Sequence, residues 1–131
     1  RISALRVREA SALLSLGHFH GAYYLGGYAV ECALKACIAK RTREHDFPEL
    51  GAVREAWTHK LEQLMKSAVL FEEFVKEKNR NEAFAVNWSV VKDWSEEDRY
   101  ELNVSQKDAE DLLNACKDEQ NGVLSWIEKR W

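Results

Sequence analysis

The sequence predicts an all-α protein, an up-and-down bundle of four to six helices. Three observations carry this. The 131 residues include one Pro and six Gly, too few chain breakers for a sandwich of many short strands. Apolar residues recur at three- and four-residue spacing over most of the chain. Residues 20–40, HGAYYLGGYAVECALKACIAK, read as one helix that is apolar nearly all round, as expected of the central rod of a bundle.

The elements follow in order. The spacing predicts helix 1 from about Ser3 to Leu16, with Ala4, Leu5, Val7, Ala10, Leu13 and Leu14 as its apolar stripe. Gly17 ends it, because glycine tolerates left-handed backbone. Helix 2 is the rod, and its small residues Gly21, Gly26, Gly27, Ala29, Ala33 and Ala36 let neighbouring backbones come close. One polar strip interrupts it: Tyr24, Tyr28, Glu31 and Lys35 stack at steps of four, three and four. Charges are rarely buried unless paired, so a Glu and a Lys on such a helix need a reason. Residues 41–58 are the most loop-like, with Pro48 and Gly51, and Pro48-Glu49-Leu50 could start a short helical turn.

Thr58 reads as the N-cap of helix 3, which carries Leu61, Leu64 and Met65 at helical spacing. Leu70, Phe71, Phe74 and Val75 then form an apolar face, KEKNRN is polar, and Phe84, Val86, Trp88 and Val91 resume the pattern. That stretch is one kinked helix or two. Residues 94–104 read as a loop around SEEDRYEL. Ser105, with Asp108 three positions on, caps a last helix running through Ala109, Leu112, Leu113, Cys116, Val123, Leu124, Trp126 and Ile127, with Gly122 loosening its middle.

Composition bounds the function. The chain is long enough for one domain, residues 1–131, and 46% hydrophobic residues with five Trp, five Phe and four Tyr supply its core. A net charge of −3 is too mild for a global electrostatic trap, so contact with nucleic acid would need a local basic patch. Cys32, Cys37 and Cys116 are odd in number and lack CxxC spacing, which reads as reduced thiols and suits a cytoplasm. The sequence shows neither a signal-peptide pattern nor an apolar run of spanning length, so no membrane association is expected. It begins at Arg1 without Met, which is compatible with a further domain upstream.

Few residues carry chemistry. Glu31 and Lys35 form either an i,i+4 ion pair or part of a polar groove in which Lys35 reaches a phosphate. Tyr24 and Tyr28 would stack a base there or close the groove. Arg99-Tyr100 lies among Glu96, Glu97, Asp98 and Glu101, with Arg99 either folded inward onto a carboxylate such as Glu31 or serving as an anion ligand. Arg54 and His59 are five positions apart, the spacing of an anion-steadying and proton-transferring pair. Lys35, Lys40, Arg41 and Arg43 make a basic end to helix 2, which offsets the helix dipole and could also touch an RNA backbone. His18 and His20 lack further ligands at workable spacing, so no metal is expected. There is no Gly-rich phosphate loop, and no other cofactor is expected.

Three segments resemble one family. Ala29, Val30, Glu31, Leu34, Lys35 and Ala36 match the second helix of HEPN domains. THKLEQL, residues 58–64, and Trp94 followed by Arg99-Tyr100 are similar to elements of the HEPN subgroup paired with minimal nucleotidyltransferases. The resemblance implies a helical bundle that often forms homodimers, in toxin–antitoxin, antiphage or RNA-processing systems. Many members are metal-independent ribonucleases. These use an Arg and a later His separated by four to six residues, near a partner copy, with the His as general acid or base and the Arg steadying phosphate. Here no His follows Arg80 or Arg99 at that distance, and the spacing is met by Arg54 and His59, ahead of helix 3.

The resulting expectation is a nucleotide- or RNA-binding HEPN-type module without nuclease activity of its own, acting with a nucleotidyltransferase or an antitoxin. Tyr24, Tyr28, Glu31, Lys35, Arg99 and Tyr100 are its candidate binding residues. The alternatives are a metal-independent endoribonuclease using Arg54 and His59, or a non-catalytic dimerisation or docking module.

Overall fold

The computed structural model describes residues 2–44, 58–100 and 103–131, apart from the side chains of Glu44 and Arg99. All regular structure among them is helical: α1 (Ile2–Ser15), α2 (Phe19–Glu44), α3 (Leu61–Ser67), α4 (Phe71–Arg80), α5 (Glu82–Val91), a 3-10 turn (Glu96–Tyr100), α6 (Gln106–Lys117) and α7 (Val123–Glu128). The chain is an all-α bundle, as its sequence predicts. It has more pieces than four to six because two expected helices each break in two.

Helix α2 is the axis. It packs against α1, α3, α6, α7 and the 3-10 turn. Ala29, Val30, Ala33, Leu34, Cys37 and Ile38 are all buried, so most of its circumference is covered. Close approach comes from its glycines. A Cβ on Gly26 would lie 2.9 Å from Leu113 of α6, and one on Gly27 would lie 2.2 Å from the Trp94 ring. Among the described residues, no helix is long and apolar enough to cross a membrane.

Helix α1 ends at Gly17, whose φ of 82° closes the turn with His18 N–H donating to the Leu13 carbonyl. Its expected stripe is shifted, since Ala10 and Ser3 are buried while Leu5 is exposed. Asn81 divides the stretch that sequence left as one helix or two. Its extended backbone ends α4, and its side chain accepts from Phe84 N–H to cap α5. The two helices then fold onto one aromatic cluster. Phe74 meets Trp88 edge-on at 4.7 Å between ring centres, with Phe84 and Trp126 alongside.

Two boundary expectations are corrected. Thr58 is not the N-cap of α3. Lys60 holds that place without a side-chain cap, while Thr58 Oγ1 accepts from Lys60 N–H and donates to Gln63. The last helix is not continuous through Gly122. Asp118 accepts from the N–H groups of Gln120 and Asn121, turning the chain, and Gly122 starts α7. A Cβ on Gly122 would lie 2.4 Å from the Asp118 carbonyl oxygen, so only glycine fits. The capping box of Ser105 and Asp108 on α6 forms as expected. Pro48-Glu49-Leu50 and Gly51 lie outside the described residues.

Candidate functional site

The polar strip of α2 lies against the start of α3 and the 3-10 turn. Tyr24 and Tyr28, one turn apart, stack with rings 7° from parallel and centres 5.9 Å apart. Tyr24 also leans on Trp94, 5.8 Å away, and Trp94 is seated on Gly27. One turn further along, Glu31 is 0% exposed.

Glu31 is the centre of a charged cluster. Its Oε1 is 3.5 Å from Lys35 Nζ and also receives His59 Nδ1. The other ring nitrogen of His59, Nε2, meets Glu96 Oε2 on the 3-10 turn. Both contacts are hydrogen bonds when both ring nitrogens carry hydrogen. The second oxygen of Glu31, Oε2, is buried and has no hydrogen-bond partner among the described residues. His59 joins three elements: α2 through Glu31, the 3-10 turn through Glu96, and the residues that lead into α3. The need to reach both carboxylates explains why α3 starts at Leu61 and not after Thr58.

A second histidine closes the same seam. His20 Nε2 lies 2.7 Å from the Asp98 carbonyl oxygen. It therefore ties the start of α2 to the 3-10 turn. Cys32 shares a hydrogen bond with Tyr28. Burial pushes the Cys32 thiol above its usual range, and that bond partly opposes the shift. Tyr28 is raised by Cys32 first and by burial second. Cys116 sits in the core against the Gly26 carbonyl, and burial pushes its thiol up to about 12. All three cysteines are free thiols.

The candidates named from sequence thus separate into two groups. Tyr24, Tyr28, Glu31, Lys35 and His59 come together, with the tyrosines and Lys35 partly exposed around the buried carboxylate. Tyr100 is 71% exposed at the end of the 3-10 turn. Arg54 and the side chain of Arg99 lie outside the described residues, so the Arg54–His59 pairing and an Arg99–Glu31 contact stay expectations. Sequence reasoning missed Glu96 as the second partner of His59, and His20 as a tie to Asp98. The acidic run SEEDRYEL was the available signal, but nothing in its local pattern selects Glu96. Among the described residues, no three His, Cys, Asp or Glu side chains group as a metal site.

Comparison with curated proteins and with solved structures returns no significant match. The family model of the HEPN domain matches residues 1–129, nearly the whole sequence. The buried Glu31, its Lys35 neighbour and the His59 that meets them all lie within that match, and the chain belongs to the HEPN domain family.

Proposed function

We propose that this chain is a nucleotide- or RNA-binding HEPN module without nuclease activity of its own. The observation that carries the reading is the pairing of a stacked Tyr24–Tyr28 face with Lys35 on one strip of α2. Aromatic faces accept bases of any sequence, and a lysine beside them takes the phosphate. Lys35 suits this role because its position is fixed by buried Glu31. Tyr100, exposed at the end of the 3-10 turn whose Glu96 meets His59, is a further candidate contact. The system would be toxin–antitoxin, defence or RNA processing, in a reducing cytoplasm. Its partners would be a second copy of the chain and a nucleotidyltransferase or an antitoxin. Titration with nucleotides and short RNAs, followed by calorimetry, tests the reading. Binding weakened by Tyr28→Ala and by Lys35→Gln supports it, and absence of binding at millimolar nucleotide by a folded protein ends it.

One observation favours a second reading. His59 is partly exposed and its Nδ1 is anchored on a buried carboxylate, the way an acid–base histidine is oriented; proton transfer through Nε2 would require it to leave Glu96. With Arg54 steadying phosphate, this would be an endoribonuclease. Incubation with tRNA decides: cleavage lost in His59→Ala supports it, whereas no cleavage, or equal cleavage by both proteins, removes it.

A further inference from the structure

Trp131 stands between two concavities of opposite character. On one side is an apolar slot of about 400 Å³, floored by Cys32, Ala33 and Ala36 of α2 and walled by Ile2 and Ile127. Lys35 lies at its edge. On the other side is a pocket of about 220 Å³ that holds Lys40, Arg41 and Arg130, with Val69 and Leu70 behind them. Trp131 lines both, and Lys40 Nζ lies 4.8 Å from its ring centre.

Each part has an ordinary structural role that does not account for the whole. Lys40 and Arg41 lie in the last turns of α2, where cations offset the helix dipole. Arg130 is held by Glu73 and stacks on Trp126 at 3.8 Å. Dipole compensation does not require three cations from two elements to face one pocket, nor an indole at its wall. The combined site has the size of small-molecule sites, which are mostly apolar with a few placed polar groups. Its two halves demand a ligand that is apolar and flat at one end and anionic at the other. Trp131 lines the slot with its ring, and in the second pocket Arg41, with the N–H groups that Lys40 and Arg130 do not donate to Trp131, Glu73 and Trp126, offers a place for phosphate.

We infer that Trp131 divides a bipartite site for a nucleoside phosphate, with the base in the apolar slot and the phosphate in the basic pocket. The ligand class rests on the reading above, but the place is new. Cys32, Ala33 and Ala36 lie beside the Tyr24–Lys35 strip, and Lys35, a member of the strip, and Cys32, hydrogen-bonded to Tyr28, border both. A strand of RNA lying along the strip would present a terminal nucleotide here.

The test titrates the folded protein with AMP, UMP, inorganic phosphate and dodecyl phosphate, followed by indole NMR shifts and calorimetry. The nucleotides should bind and shift the Trp131 indole signal, with inorganic phosphate weaker. Base stacking is worth enough that Trp131→Ala should weaken AMP about tenfold, with Trp131→Phe retaining most of it. Lys40→Gln combined with Arg41→Gln should weaken AMP by a similar factor, while Lys107→Gln, which lines neither concavity, leaves it unchanged. AMP binding lost in Tyr28→Ala but kept in Trp131→Ala overturns this site and leaves the strip reading standing. RNA bound through the strip with no mononucleotide binding does the same. Dodecyl phosphate bound as tightly as AMP shows a general amphiphile slot and overturns the nucleoside assignment. A change in oligomeric state in Trp131→Ala, with AMP binding intact, makes this face an interface between copies and also overturns it.

Discussion

His59 and Glu31 meet across 28 positions of sequence, and the imidazole closes on a carboxylate that has no access to solvent. Lys35, at 3.5 Å, meets the same oxygen. A buried carboxylate deprived of a partner is costly, and breaking such a pair from one side typically costs about 3–5 kcal/mol. His59 is partly exposed, so His59→Ala should fall near the lower end, destabilising by about 3 kcal/mol. Glu31→Gln keeps the shape and removes the charge, and should cost about 1–2 kcal/mol. Urea unfolding of the two single variants and the double variant checks this. The double should cost clearly less than the sum, because removing His59 matters mainly while Glu31 is ionised.

Gly27 and Trp94 form the second dependence. A Cβ on Gly27 would sit 2.2 Å from Trp94 Cδ1, inside any permitted contact, so the ring would have to leave its site. Gly27→Ala should cost about 3 kcal/mol, at the upper end of core overpacking. In the Trp94→Ala background the same substitution should be nearly free, since the obstructing ring is gone. Trp94 leads into the 3-10 turn that brings Glu96 to His59, so Gly27→Ala should also make the His59 ring signals in NMR mobile. Unchanged stability in Gly27→Ala would refute this packing.

The central helix was legible because burial demands apolar residues on nearly every face, and α2 carries them from Ala22 to Ile38. Its strip was legible for the same reason, since Tyr24, Tyr28, Glu31 and Lys35 interrupt that surface at one angular position. What those side chains meet was not legible. Glu96 reaches His59 because Trp94 on Gly27 and His20 on the Asp98 carbonyl seat the 3-10 turn on α2, long-range packing facts that no local spacing encodes. The Thr58 cap failed for a related reason: local propensity favoured Thr, but His59 is engaged by Glu31 and Glu96 and residues 58–60 stay outside the helix. The break before α7 turns on Asp118, whose short side chain accepts two backbone N–H groups and competes with the helix. Gly122 was noticed as a weak point, but its crowding against the Asp118 carbonyl becomes visible only in three dimensions.

Val69 offers a gain in stability. It joins α3 to α4 with a φ of 59°, a left-handed conformation that costs a β-branched residue about 1–2 kcal/mol. The surrounding bonds form the usual helix-ending loop, with Leu70 N–H donating to the Met65 carbonyl and Val69 N–H to Lys66. Glycine is the residue for that place, as Gly17 shows after α1. The Val69 side chain is 58% exposed, so little burial is lost on removing it. Val69→Gly should therefore stabilise the protein by about 1 kcal/mol, read as a higher urea midpoint with unchanged slope. A lower midpoint would mean that the valine side chain contributes more than its backbone costs.

Alkaline pH should loosen the fold through Cys116. Its thiol titrates at about 12 in the folded protein, raised from 9.0 by burial alone. Between those values the unfolded chain releases a proton that the folded chain keeps. Stability is then fully present below about pH 9 and falls as pH rises toward 12, by up to about 1.4 kcal/mol per pH unit from this group. Tyr23, raised first by burial and then by Asp98, adds a loss of the same sign. Cys116→Ala leaves a small cavity and should be less stable at neutral pH, yet its stability should decline less steeply above pH 9. Urea midpoints measured at several alkaline pH values for both proteins decide the matter. Parallel declines would show that the Cys116 proton is not retained on folding, and would place the alkaline sensitivity on the tyrosines instead.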